Sequence, residues 1–391
     1  MLIFVAEVAV EEHIKWPYVP ILRANFTAMP NVVFAGQFCF MNREYESVSV
    51  AIVGGGIAGL ACAGALSRGG YRVTVFDKSR GVGGRMSTRR GDGWQCDHGV
   101  PYFLARDSEF VSEVARWMAA GAVAPWHARV VSMAPDVPPM AAPPMTRYVG
   151  VPTMTMPARL LSMGAKTVTA TTVDALFREA GSWQLSSAEG GLIGDQFDIV
   201  VVGVPSPQAV PLLEGTASDF ALAASRARMR PIWVVMAQCE TNADLSFDAA
   251  VVNGAPLAWI ANDTSKPGRT GYCTWALHAS SAWTDAHLED APEDVARTLV
   301  AAFRELGGPA VRAATAHRWR YAEPLEPKGD DAPGYMWRMQ DGIGICGDWL
   351  AGGGVEGAWL SGNRLGEAIR RSRTSQACGP RAAAHVAAQS S

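Results

Sequence analysis

The residues best placed to do chemistry in this chain are mostly glycines. Gly54-Gly55-Gly56-Ile57-Ala58-Gly59 carries the spacing Gly-x-Gly-x-x-Gly. In that pattern the first glycine closes a turn, the second lets the backbone approach a pyrophosphate, and the third lets helix and strand pack closely. The positive end of the following helix then attracts phosphate through its free amides. Asp77 follows about 20 residues on, where a carboxylate can hold ribose hydroxyls. Immediately after it, Arg80-Gly81-Val82-Gly83-Gly84-Arg85 supplies a glycine pair and two guanidinium groups; Arg85 can fork onto phosphate oxygens. Near the other end of the chain, Gly347-Asp348 is followed by Gly352-Gly353-Gly354-Val355-Glu356-Gly357-Ala358. A carboxylate and a glycine-led helix start there can meet a second part of the same dinucleotide.

The elements that must position these groups are legible around them. Val48 to Val53 is a β-branched strand, the run after Gly59 is an Ala- and Leu-rich helix, and Arg72 to Phe76 is a second strand ending at Asp77. Val168 to Leu185 and Phe197 to Val204 read as a return to the same domain. Within the latter, Ile199-Val200-Val201-Val202 suits a strand buried on both faces of a parallel sheet, and Pro205 stops it. A helix starts near Val355, and Ala358, Gly362 and Gly366 recur every four residues, which predicts close packing on a neighbour. Ser108 to Ala120 has a helical apolar face of Phe110, Val111, Val114, Trp117 and Met118, and the proline-rich stretch Ala134 to Pro144 reads as a loop.

Between these parts, Ile232–Gln238, Ala249–Val252, Leu257–Ala261 and Gly271–His278 read as short strands. Pro292 to about Leu306 reads as a helix with acids at its positive end. Alternation in Ala314 to Tyr321 puts His317, Trp319 and Tyr321 on one face, with Arg318 and Arg320 on the other. Trp275 and His278, three apart, point to opposite faces of a regular strand. The expected fold is α/β: a dinucleotide-binding Rossmann-type domain from 45–105, 155–206 and 334–371, and a second, α+β domain on an antiparallel sheet from 106–154 and 207–333.

Composition narrows the function. The 391 residues carry a net charge of −3 without a basic run, which argues against nucleic acid or an anionic membrane as partner. No stretch reaches the roughly 18 apolar residues of a membrane helix. Seven cysteines are scattered without paired spacing, which suggests reduced thiols and a cytoplasmic protein, and no metal site is visible. Residues 1–44 show no sustained period and are expected to lie outside the fold, with Met41 fitting a start. The Ala-, Ser- and Gln-rich segment 372–391 is expected to be a disordered tail.

Asp77-Lys78-Ser79-Arg80-x-x-Gly83-Gly84-Arg85-Met86-Ser87 resembles the FAD-binding signature of flavin amine oxidases, most specifically their renalase-like branch. Cys96-Asp97-His98-Gly99-Val100-Pro101-Tyr102-Phe103 resembles a segment that returns toward the flavin, with Pro101 departing from the polar residue common there. Trp275-x-x-His278, His317-Arg318-Trp319-x-Tyr321 and Gly347-Asp348 extend the resemblance over Val48 to about Arg371. It implies an amine-oxidase-like fold and FAD held by Gly54, Gly56, Ala58, Gly59, Asp77, Lys78, Arg80, Gly84, Arg85, Gly347, Asp348, Val355 and Ala358, with Val173 at the adenine. The turn Ala351-Gly352-Gly353-Gly354 has no cysteine, so the cofactor would be non-covalent. Tyr102, His278, Trp319 and Tyr321 are the candidate substrate contacts; His98 is read as structural.

The resemblance further implies oxidation of 2- or 6-dihydro isomers of NAD(P)H to NAD(P)+, with hydride passing to flavin N5 and O2 then yielding hydrogen peroxide. Such a transfer needs orientation rather than a protein acid or base, and no general base stands out. Two alternatives remain: an amine oxidase or desaturase acting on a small organic substrate, and a flavin-bearing sensor with little turnover.

Overall fold

The computed structural model describes residues 47–134, 137–240, 245–254, 256–326 and 334–377. The expectations for 1–44 and for 378–391 fall outside these residues.

The apolar runs form two large sheets. The first has six strands in the order Tyr335–Arg338, Ile343–Cys346, Ile199–Val202, Ser49–Val53, Arg72–Phe76 and Lys166–Val168. All neighbours pair in parallel except the outermost, Tyr335–Arg338. Ile199–Val202 is buried at every residue, as an inner parallel strand requires. Its side chains alternate: Ile199 and Val201 join a core with the helices Ile57–Arg68 and Gly354–Ala377, while Val200 and Val202 join one with the helices Ser206–Leu213 and Ser218–Arg226. The helix Ile57–Arg68 packs on the C-terminal helix through the small residues read from the sequence. A Cβ at Gly362 would lie 1.9 Å from the Ala58 carbonyl oxygen, and one at Gly366 would lie 2.6 Å from the Ala65 Cβ.

The second sheet has seven strands: Val311–Pro324, Met229–Cys239, Thr274–Ala279, Leu257–Asn262, Ala249–Val252, Val130–Ala134 and Val137–Ala141. It is antiparallel apart from the parallel contact of Ala249–Val252 with Val130–Ala134. The helix Pro292–Glu305 covers one face, burying Val295, Leu299 and Phe303 against Trp275 and its neighbours. The other face meets a hairpin, Thr88–Gly91 and Trp94–Asp97, through Cys96, Met236 and Ala276.

Three expectations need correction. Ala134 to Pro144 is not all loop, since Val137–Ala141 is an exposed edge strand. An edge position tolerates the missing amides of Pro138 and Pro139. The C-terminal helix runs past Arg371 to Ala377, because residues 372–377 contain neither glycine nor proline. The helix Ser108–Ala119 buries Phe110, Val114 and Trp117, but leaves Val111 and Met118 exposed. Its buried stripe is narrower than its apolar one.

Candidate active site

The glycine turn sits between the first strand and first helix, and each glycine has a different surrounding. Gly54 has φ +110°, a conformation that excludes most side chains, and a Cβ there would lie 2.6 Å from the Gly203 carbonyl oxygen. At Gly59 a Cβ would lie 2.0 Å from the Gly54 carbonyl oxygen, so this glycine packs helix on strand and is not part of the cavity wall. At Gly56 a Cβ would meet nothing within 4 Å, because it would project into a cavity of about 1640 Å³. That volume exceeds the roughly 300–1,000 Å³ of a site for one drug-sized ligand.

The cavity joins the two ends of the chain. Gly54, Gly56, Ala58, Asp77, Lys78 and Arg80 line one stretch, with Val173 beside Thr171 and Thr172. Gly84, Arg85, Gly347, Asp348, Val355 and Ala358 line the next. Asp77 is oriented by two backbone amides, Gly55 N–H donating to one carboxylate oxygen and Ser79 N–H to the other, each at 2.7 Å. Each oxygen keeps a second lone pair for a ribose hydroxyl. An open space at Gly56, an acid fixed at the end of the second strand and a helix start at Gly354 fit the parts of FAD.

Arg85 differs from expectation. Its guanidinium forks onto Asp348, with both N–H···O distances 2.7 Å, and donates also to the Ala322 carbonyl at 2.9 Å. The reason is burial: Asp348 is 2% exposed and needs a counter-ion, whereas a quarter of the Arg85 side chain faces the cavity. Burial alone would lower the Arg85 pKa, but the Asp348 carboxylate outweighs it and raises it. The pair ties the first sheet's end to the last strand of the second sheet.

That strand provides the far wall. Trp319 and Tyr321 line the cavity, together with His98 and His317. The Trp319 ring stacks on His98 at 5.3 Å, its Nε1–H donates to the His98 carbonyl at 2.7 Å, and His317 meets both rings edge-on. Burial, then His317 and the Arg89 charge, push the His98 pKa down to about 4; burial and Arg89 also lower His317. Both rings are neutral at pH 7. On the strand's other face, Arg318 and Arg320 pair with Glu289.

Two candidate substrate contacts lie off this wall. Tyr102 is half-buried, packs against Trp126 and Trp259 with Arg147 over its ring, and does not line the cavity. His278 does point away from Trp275, which packs on Phe247 and Phe303. It is buried under the hairpin rather than in the cavity wall, and burial followed by Lys266 and His98 lowers its pKa to about 3. Arg89 and His317 were not among the candidate contacts. The signal was present in the strand alternation, which sends Thr88 toward Asp97 and Arg90 toward Thr153 and leaves Arg89 facing the other way.

Behind the wall lies a fully buried ionic cluster. Asp97 accepts from Lys266 at 2.9 Å and Arg269 at 2.5 Å, while Thr88 donates to its other oxygen at 2.6 Å. Lys266 also meets Asp263 at 2.6 Å. The two cations hold the Asp97 carboxyl well below the usual carboxylate range despite burial, whereas burial and Asp97 push Asp263 up to about 6.

Comparison with known proteins agrees with this geometry. Residues 52–116, which hold the glycine turn, Asp77 and Arg85, match the NAD(P)-binding Rossmann-like domain family. Over 58 residues the chain is 43% identical to a 4,4'-diapophytoene desaturase from Staphylococcus haemolyticus. That match covers 15% of this chain and 12% of the desaturase, so the chain spans about an eighth of that relative's length. Among solved structures, cyclohexylamine oxidase from Brevibacterium oxydans superposes with a TM-score of 0.65 at 14% identity, covering 84% of this chain and 100% of that one. A putrescine oxidase variant with a redesigned cofactor site gives 0.62 at 13%, covering 83% and 99%. The fold is therefore α/β, with a Rossmann-like dinucleotide-binding domain, and it is shared with these amine oxidases. Fold alone does not choose among their chemistries.

Proposed function

We propose that the protein is an FAD-dependent oxidoreductase that oxidises dihydro isomers of NAD(P)H, of the 2- or 6-dihydro kind, to NAD(P)+. The observation that carries this reading is one cavity joining Gly56, Asp77, Asp348 and the aromatic wall of His98, Trp319 and Tyr321. FAD, when bound, supplies the acceptor for the substrate's hydride and electrons. The chain's own residues do the rest. Gly56 admits the pyrophosphate, Asp77 holds a ribose, and Arg85 with Asp348 fixes the isoalloxazine end. Trp319 and Tyr321 hold a planar ring at the far wall, where orientation rather than acid–base chemistry sets the rate. The neutral His98 and His317 suit that role.

Charge supports a nucleotide substrate. Besides Arg318 and Arg320, which pair with Glu289, the cavity wall carries Lys78 and five arginines against four carboxylates, Asp77, Asp174, Glu323 and Asp348, in a chain whose net charge is −3. A local excess of cations concentrates polyanions and repels protonated amines. Non-covalent retention is supported by the Ala351–Gly354 turn, which lacks cysteine, and by Cys346, whose buried thiol is pushed up to about 12 and lies outside the cavity wall. Acid precipitation should therefore release the flavin intact.

The second reading, an amine oxidase or desaturase, draws on the desaturase-like N-terminal match and on the amine oxidase superpositions. An anaerobic mixing experiment separates the two. FAD-loaded protein is mixed with 2- and 6-dihydro-NAD(P), ordinary NADH, and a panel of amines, and flavin bleaching is followed. Rapid bleaching by the dihydro isomers alone is expected; bleaching by amines alone would overturn the proposal.

A further inference from the structure

The wall opposite the glycine turn holds a group of side chains that the cofactor does not require. His98 is buried, its Nδ1 has no hydrogen-bond partner, and its ring packs against both His317 and Trp319, which also touch each other. Arg89 stands next to them. It lies on the hairpin strand Thr88–Gly91 in register with Cys96, two residues before His98, and lines the cavity, as do Thr88 and Arg90. Its charge acts on both imidazoles.

Of the other cations nearby, five are matched by carboxylates, and Arg90, which also lines the cavity, donates instead to Thr153. Arg318 and Arg320 share Glu289, Arg85 is forked onto Asp348, and Arg269 and Lys266 are held by Asp97 and Asp263. Among the described residues, no carboxylate pairs with Arg89. Two neutral imidazoles and an indole beside an unmatched guanidinium make a surface with one planar aromatic part and one anion-seeking part. A protonated amine is repelled there, whereas a ring carrying a phosphate meets complementary groups at both ends.

We propose that Arg89, beside the His98–His317–Trp319 group, selects the substrate by binding the phosphate that a ribose links to its planar ring. This deepens the nucleotide-oxidase reading and rests on it for the identity of the ring. Arg89 is thus a specificity-determining residue, not one that moves a proton.

The test uses FAD-loaded protein and two ligands that differ by one phosphate, nicotinamide mononucleotide and nicotinamide riboside. Binding is read from the perturbation of the flavin absorbance. In the wild type the mononucleotide should bind at least ~10-fold tighter, about 1.4 kcal/mol. Arg89→Ala should erase that gap, chiefly by weakening the mononucleotide, and Arg89→Lys should restore part of it. FAD content should be unchanged in both variants. A wild type without the gap, a gap that survives in Arg89→Ala, or a loss of FAD from that variant would each overturn the assignment; the last would place Arg89 on the cofactor instead. The oxidase reading fails separately. Turnover of dihydronicotinamides without a phosphate gap removes only the role of Arg89. A phosphate gap without any such turnover keeps the role of Arg89 and removes the oxidase.

Discussion

Adding a single methyl group at either of two glycines three residues apart should produce opposite failures. At Gly56 the backbone is extended, with φ −76° and ψ 177°, and a Cβ meets no atom within 4 Å. The apoprotein should accept Gly56→Ala with a stability change within about 0.5 kcal/mol. The same methyl stands where a pyrophosphate would approach the backbone, so FAD affinity should fall at least ~10-fold, or about 1.4 kcal/mol. At Gly59 the added Cβ lies 2.0 Å from the Gly54 carbonyl oxygen and 3.2 Å from Ile52 Cγ2. Relief requires the helix to move by more than an ångström. Gly54 cannot give way, being held by its own φ of +110° and by the chain at Gly203. Overpacking of this kind costs about 1–3 kcal/mol or more, roughly 2–10 °C in melting temperature. The assay measures apoprotein melting by circular dichroism, then FAD binding by quenching of flavin fluorescence on reconstitution. Unchanged FAD affinity in Gly56→Ala would refute the placement of the pyrophosphate. An unchanged melting temperature in Gly59→Ala would refute the packing argument.

Asp97→Asn leaves Lys266 and Arg269 buried with one carboxylate and should destabilise by about 3–5 kcal/mol in denaturant titration, whereas Lys166→Ala, in an exposed pair 3.9 Å from Asp195, should stay within about 0.5 kcal/mol. Equal effects would show that the cluster is not buried as described. The two acids of the cluster have opposite pH signatures. The contribution of Asp97, whose pKa is depressed, is present above the ordinary carboxylate pKa of about 3.9 and is lost as pH falls through its own lower value. The contribution of Asp263, raised to about 6, is full below about 3.9 and is lost as pH rises through about 6. Wild type should therefore lose stability relative to Asp263→Asn between about pH 4 and about pH 6 and level off above that, and a constant difference across that window would contradict this. Asp348→Asn removes the counter-ion of Arg85 and should cost about 2–3 kcal/mol and lower FAD retention, read together from melting and the flavin spectrum; unaltered retention would detach the pair from the cofactor. His98 should show no ring titration by NMR between pH 5 and pH 8, since its pKa lies at about 4; an inflection above pH 6 would mean that the ring is not buried.

The parts of the site that depend on local backbone were legible in the sequence. A glycine at a positive φ, an acid at the end of a strand and small residues every fourth position on a helix each reflect constraints acting within a few residues. Gly54, Asp77 and Gly362 therefore stand where their patterns place them. What the sequence did not disclose depends on partners distant along the chain. Arg85 reads as a phosphate ligand until Asp348, 263 residues away, is seen to claim its fork. Lys266 and Arg269 sit in an ordinary Asn-Asp-Thr-Ser-Lys-Pro-Gly-Arg segment and carry no periodic signal. Their burial follows from Asp97, 169 and 172 residues away. Tyr102 shows the reverse: it stands at a family-like position, and its half-buried ring packs on Trp126 and Trp259. Val137–Ala141 escaped because proline and alanine mask strand character at an edge that needs fewer amides.

Asp97, His98 and Gly99 show how the cofactor end and the aromatic wall are kept in register. Asp97 anchors the hairpin to Lys266 and Arg269, beside the second sheet. His98 offers its carbonyl to Trp319 and its ring to the stack, which fixes the wall. Gly99 passes so close to Arg85 that a Cβ would lie 1.9 Å from the Arg85 carbonyl oxygen, while Val100 N–H donates to that same oxygen at 2.9 Å. Three consecutive residues thus set the distance between the guanidinium paired with Asp348 and the ring that faces the cavity. A hydride transfer is sensitive to about an ångström of misplacement, and these contacts span the interval with buried ionic, aromatic and backbone interactions rather than with a mobile loop. The buried ionic cluster is then best understood as a positioning device: its cost in desolvation is offset where it holds the hairpin, and the chemistry in the cavity needs only the geometry that results.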